Sequence, residues 1–154
     1  CDASRRVLGG RVVNSFLGTP DGPTPVIALT PDATFTTDLV FDYRRPPLTM
    51  NQRLHWRKKA ELTKSIRVAT ALKARRVPDL GKCEVALTWY VTDRRIRDAD
   101  NTMPTFKAMC DGLVDVGVVA DDRPELMVKH MPRIVLAPKG SVAHMILTVS
   151  GVHA

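Results

Sequence analysis

The sequence predicts an α+β fold: a single domain with a mixed β-sheet packed by one long basic helix and one shorter helix. Three observations lead there. The chain has 154 residues, the length of one ordinary domain. Its apolar residues make up 44%, enough for one core and too many for a disordered chain. The apolar period also switches along the chain between two and about 3.6, so strands and helices interleave.

Residues 1–34 carry Gly9, Gly10, Gly18 and Gly22 among Pro20, Pro23, Pro25 and Pro31, with no sustained period. They read as a partly irregular N-terminal extension, with the domain proper at 35–154. Phe35 to Tyr43 is rich in β-branched and aromatic residues and predicts a strand, which Pro46-Pro47 closes. From Asn51 to about Arg76 a helix is expected, because Leu62, Ile66, Ala69 and Leu72 recur at helical spacing. That segment is strongly basic, with Arg53, Arg57, Lys58, Lys59, Lys64, Arg67, Lys73, Arg75 and Arg76 against the single acid Glu61. Trp56, near its start, could stack on a base or pack in the core, and the core is the expectation.

Cys83 to Thr92 alternates Val85, Leu87, Trp89 and Val91 with smaller or polar residues, which predicts a second strand. Thr105 to Val116 predicts the shorter helix. Phe106, Met109, Cys110, Leu113 and Val114 make one apolar face, Pro104 suits its first turn and Gly117 its end. Ile134–Ala137 and Val142–Val149 predict two further strands joined through Pro138-Lys139-Gly140.

The net charge of +7 favours a polyanionic partner, since basic side chains on phosphates release condensed counterions. Cys1, Cys83 and Cys110 are odd in number and lack metal-motif spacing, as expected of reduced thiols. No apolar run is long enough for a membrane span and the N-terminus lacks a secretory apolar core, so a cytoplasmic location is expected.

The acids are unevenly placed. Seven of the sixteen fall between Asp98 and Glu125: Asp98, Asp100, Asp111, Asp115, Asp121, Asp122 and Glu125. Gathered like charges repel, and a divalent cation with hard oxygen ligands relieves that repulsion. If residues 97–100 are extended, Asp98 and Asp100 share a face. The competing reading is an ordinary turn and helix cap with a solvated Asp-Asp pair. An EF-hand is excluded, because Met103 and Met109 stand where its loop needs Gly and Glu. The four histidines are scattered and do not make a zinc motif.

Arg97-Asp98-Ala99-Asp100-Asn101, then Lys107-Ala-Met-Cys-Asp111-Gly-Leu113, then Gly117-Val-Val-Ala-Asp121-Asp122 resembles the signature of the RusA family of Holliday-junction resolvases. Pro46-Pro47 followed by Asn51 and His55 resembles that family's N-terminal segment, and the likeness runs over about residues 36–150. Lys107 stands six residues after Asn101, where family members commonly have three. The resemblance implies a Mg²⁺-dependent endonuclease, with Mn²⁺ as substitute, that hydrolyses phosphodiesters in four-way DNA junctions as a homodimer during recombination and repair. It implies Asp98, Asp100 and Asp122 as metal ligands, with Asp121 as a further ligand or neighbour, and Lys107 as the residue that stabilises the charged phosphate. Asn101 and Asp111 would support them, and Arg53, Arg57, Lys58, Lys59 and Arg97 would meet DNA. A bacterial or phage-infected cell is the setting common to the family. Two rivals stand beside it: a nuclease of broader taste for branched or flap DNA, and a basic nucleic-acid-binding module without catalysis.

Overall fold

The computed structural model describes residues 35–152. The expected extension, residues 1–34, lies outside them, as do Cys1 and His153. Five strands and two α-helices form one mixed sheet with its helices, as the α+β reading expects. The order along the chain is β1 (Phe35–Phe41), α1 (Trp56–Ala74), β2 (Lys82–Val91), a 3₁₀ turn (Ala99–Thr102), α2 (Met103–Asp115), β3 (Met127–Lys129), β4 (Arg133–Leu136) and β5 (His144–Val152).

β5 lies between β1 and β2 and runs antiparallel to both. On its other edge β2 pairs in parallel with β3 through Cys83–Val85, and with β4 through Thr88–Val91. The expected strands at 134–137 and 142–149 are therefore connected in sequence but not paired. They flank β2 from opposite sides, and the turn at Gly140, with φ +88°, starts the crossing.

Register decides which residues make the core. Val85 faces Val149, Leu87 faces Leu147, and Trp89 faces Met145, while Leu39 and Phe41 meet Leu147 and Met145 from β1. All are buried. Because side chains alternate across a sheet, this apolar set occupies one face. Phe106, Met109, Cys110 and Leu113 of α2 are completely buried in the same core. Each fully buried side chain of this size contributes roughly 1.5–3 kcal/mol of transfer free energy.

α1 departs from expectation in two ways. It begins at Trp56, not Asn51, because Thr49–Gln52 closes a turn of its own: Thr49 N–H donates to Gln52 Oε1 at 3.1 Å. His55 then caps the helix, its Nδ1 accepting from Arg57 N–H at 3.3 Å. Its buried line is Ile66, Thr70 and Ala74, spaced by four, whereas Leu72 is 62% exposed. Thr70 satisfies its hydroxyl on Ile66 O at 2.9 Å, which lets a polar residue sit in the apolar seam. The seam is tight, since Gly112 of α2 brings its Cα against the backbone of Arg67. Arg67 and Asp115 clamp the two helices with paired hydrogen bonds of 2.8 and 2.6 Å.

Candidate active site

Two local structures bring distant segments together. At the start of α2, Thr105 Oγ1 donates to Leu48 O at 2.7 Å and accepts from Leu48 N–H at 3.1 Å. This stitch holds the Pro46-Pro47 segment against the helix and sets Asn51 beside Asp98. At the other end, Gly117 adopts φ +82°, and the chain closes with Gly117 N–H on Val114 O and Val118 N–H on Leu113 O. That Gly-based cap stops α2 and reverses the chain. Val118 and Val119 are buried, and the reversed strand of chain carries Asp121 and Asp122 back along the helix.

The reversal puts Asp122 onto Lys107. Lys107 Nζ reaches Asp122 Oδ2 at 2.9 Å and Asp111 Oδ1 at 3.2 Å. Lys107 and Asp111, one turn apart on the helix, pair with each other, and Asp122 joins them. A second cation, Lys129 of β3, donates to the same Asp122 Oδ2 at 2.9 Å and to the Asp122 carbonyl at 2.7 Å. The hydrogen bonds from Lys107, and then from Lys129, hold the Asp122 carboxyl down at about 2. Reciprocally, Asp122 and then Asp111 raise the Lys107 ammonium above its ordinary value. Asp122 is thus a carboxylate and Lys107 a cation throughout the neutral range. Asp121 turns the pair's backbone: its Oδ1 accepts from Asp122 N–H at 2.7 Å and its Oδ2 meets Arg123 at 2.9 Å.

Asp98 and Asp100 sit at the entry to α2. Asp98 is extended, with φ −90° and ψ 125°, and its carbonyl accepts from Asn101 N–H at 3.2 Å. Its side chain makes no capping hydrogen bond, unlike an ordinary helix-cap aspartate. Asp100 already belongs to the 3₁₀ turn, so the expected extended run from 97 to 100, with both carboxylates alternating onto one face, does not form. The turn still presents both. A shallow hollow is lined by Asp98, Asp100, Asn101, Asn51, Arg97 and Met50. It adjoins a larger cleft of about 660 Å³ that shares Asn51, Arg97, Asp98 and Asn101 and adds Arg44, Arg45 and Arg95.

The 3₁₀ turn and Pro104 accommodate the long interval between Asn101 and Lys107. Lys107 comes one turn after Met103, about 6 Å along the helix axis. The Asp98–Asp100 hollow lies at the turn that leads into α2, and the Lys107–Asp122 pair lies farther along that helix, Lys107 seven residues after Asp100. They are not one cluster: among the described residues no three acidic, histidine or cysteine side chains converge in an arrangement fit for a metal.

Arg97 is bound internally. Its guanidinium meets Asp93 at 2.7 Å, donates to Arg95 O at 3.1 Å and lies 5.3 Å from the Trp89 ring centre. The Arg97 hydrogen bond, followed by that of the Arg95 amide, lowers the Asp93 carboxyl to about 2. Arg53, Arg57, Lys58 and Lys59 are all exposed at and before the first turn of α1, with Lys58 on Glu61 at 3.2 Å. Trp56 is not in the core as expected. It is 67% exposed, because the first turn of α1 extends past the seam with α2.

Two participants escaped the sequence reading. Lys129 sits on a three-residue strand, too short to show a period, and no spacing ties it to Asp122. Asp93 stands in an irregular segment after β2, where no period ties it to Arg97. No protein-family model matches the chain. No curated protein matches it either.

Proposed function

We propose that this chain is a divalent-metal-dependent endonuclease acting on branched DNA, four-way junctions above all. The observation that carries the reading is the Lys107–Asp122 pair, made across fifteen residues, with Lys107 on the helix that the Asp98–Asp100 turn leads into. These are the residues through which the sequence resembles the RusA family. Their places on one turn, one helix and the reversal after it support treating them as one working unit. The surrounding charge supports a phosphate substrate, with Arg44, Arg45 and Arg95 on the adjoining cleft.

The donor set fits a hard cation. Asp98, Asp100 and Asp122 would offer carboxylate oxygens, and Mg²⁺ commonly needs only one or two carboxylates besides water and phosphate oxygens. Mn²⁺ suits the same donors. When bound, such an ion supplies an activated water and charge stabilisation for in-line displacement at phosphorus. Asp122 would hold it after exchanging lysine contacts for the ion. Lys107, released from Asp122 and kept in place by Asp111, would turn its charge toward the phosphate oxygens. Lys129 would keep the Asp122 backbone where it is through the carbonyl contact. Asp121 orients the same peptide through its amide. A four-way junction has approximate two-fold symmetry, so paired nicks call for a C2 homodimer with two equal sites.

One observation favours a second reading. Asp122 Oδ2 is already bridged by two lysines, as in a purely structural ion network. On that reading the chain is a basic nucleic-acid-binding module without catalysis. The experiment that separates them is cleavage of four-way, splayed and linear DNA with and without Mg²⁺, using Asp98→Asn and Asp122→Asn as controls. The nuclease reading expects both substitutions to abolish cutting while DNA binding is kept or strengthened, since each removes a negative charge near phosphate. Metal-dependent cutting that survives in both variants defeats the site assignment. Binding by the wild type with no cutting of any substrate supports the module instead. Preference among four-way, splayed and linear DNA tells a resolvase from a broader branch nuclease.

A further inference from the structure

The first turn of α1 holds a large aromatic side chain in water. Trp56 is 67% exposed, whereas the other indole, Trp89, is 8% exposed and donates Nε1–H to Arg44 O at 3.2 Å. Only 5% of the chain is aromatic. A protein with so few aromatic rings forgoes much apolar burial by leaving one of its two indoles outside.

The surroundings of Trp56 are cationic. The Arg57 guanidinium lies 5.2 Å from the ring centre, and the His55 ring is tilted 33° at 5.7 Å. A shallow hollow beside the indole is lined by Lys59, Ala60, Thr63, Lys64 and Arg67. From Arg53 to Lys64 the cations are Arg53, Arg57, Lys58, Lys59 and Lys64, and the one acid, Glu61, is held by Lys58 at 3.2 Å. Arg67 is committed to Asp115. An apolar protein surface docked on this turn would have to desolvate most of those charges. A nucleic-acid strand would use them on its phosphates and lay a base on the ring, which is how sequence-tolerant single-strand sites are built.

We propose that Trp56 is a stacking platform for an unpaired DNA base, with Lys59 and Lys64 guiding the strand's phosphates past it. This rests on the reading that the chain acts on branched DNA: splayed arms and flaps carry unpaired bases, and a four-way junction exposes them where pairs at its branch point open. It adds a single-strand contact on a face of α1 separate from the hollow at Asp98.

The test is binding of a short oligothymidylate to the full chain in EDTA, where cutting is suppressed. Tryptophan emission and oligonucleotide anisotropy are followed together. Saturating oligonucleotide is expected to quench wild-type emission. Trp56→Phe should keep most of the affinity and lose the quench; a quench that persists in it comes from Trp89, which lines the other cleft, and overturns the proposal. Trp56→Ala should bind on the order of 10- to 100-fold more weakly, the range of one base–aromatic stack. Unchanged emission at saturation, or wild-type affinity in Trp56→Ala, overturns the proposal. Sedimentation of Trp56→Ala covers the rival occupant: a dimer that falls to monomers with DNA affinity intact assigns the ring to a second copy and overturns it too. Mg²⁺-dependent cleavage is measured separately on the same preparations. A quench without any cleavage upholds the platform and defeats the nuclease reading, and cleavage without a quench does the reverse.

Discussion

Gly112→Ala isolates the contact that fixes α2, and with it Lys107 and Asp111, against α1. A Cβ built at Gly112 meets Arg67 O at 2.7 Å, Thr70 Cβ at 2.8 Å and Arg67 Cα at 3.2 Å. None of these can swing away. Two are backbone atoms, and the third belongs to a completely buried β-branched side chain whose hydroxyl is bonded to Ile66 O at 2.9 Å. The helices must therefore separate, and forcing an extra carbon into a close-packed seam costs about 1–3 kcal/mol. Against that, alanine in a helix interior is favoured over glycine by about 1 kcal/mol. With steric cost at the upper end, because all three neighbours are fixed, the net is a loss of about 2 kcal/mol. For a domain of this size that lowers Tm by on the order of 8 °C. Thermal and urea unfolding followed by circular dichroism measure it directly. A Gly112→Ala protein as stable as the wild type, or more stable, refutes the packing argument, since propensity alone would then have decided the outcome.

Other consequences can be checked in parallel. Lys107→Ala should reduce metal-dependent cleavage on the order of 10²- to 10³-fold, the usual effect of losing a charged group aimed at a transition state. Its Tm should barely move, because the side chain is 62% exposed; normal turnover would remove Lys107 from the mechanism. Asp122, held at about 2 against an ordinary 3.8, contributes stability that is complete above the ordinary carboxylate range and lost as pH falls through about 2. The size is at most about 2 kcal/mol before solvent screening reduces it, and Asp122→Asn should flatten the urea midpoint between pH 4 and 2 relative to wild type. Burial pushes the Cys83 thiol up to about 11 and the Cys110 thiol up to about 12. Neither should react with a thiol-labelling reagent until the chain unfolds, and peptide mapping that finds native-state label on either would contradict their burial.

Much of this architecture was legible from periodicity. β2 and α2 were recognisable because each carries a full apolar face, Val85 to Val91 on one and Phe106 to Leu113 on the other. Gly117 announced the helix end that returns the chain. Local pattern failed where a long-range contact decided the outcome. Leu72 has helical spacing with Ile66, yet α2 packs along Ile66, Thr70 and Ala74, and a threonine with a satisfied hydroxyl replaced the expected leucine. Trp56 is apolar, but it lies beyond the reach of that seam. At the candidate site, Lys107, Asp111 and Asp122 were readable as a spacing because one helix and one reversal connect them. Lys129 was not, since only the pairing of β3 with β2 brings it to Asp122. Asp98 and Asp100 were found for a reason that fails in detail: a 3₁₀ turn presents them, in place of an alternating strand.

The divided edge of β2 bears on how this protein stays dispersed at working concentration. β3 and β4 cover that edge in pieces of three and four residues, and the chain between them contains Pro132, which has no amide hydrogen to offer. A single unbroken strand there would present a long row of free amides and carbonyls, on which another chain could grow a sheet. The break, with Lys129 before it and Arg133 after it, leaves only short, charged stretches unsuited to templated growth. If the chain gathers on DNA as proposed, crowding its own copies together, an edge that resists sheet-to-sheet aggregation is an advantage.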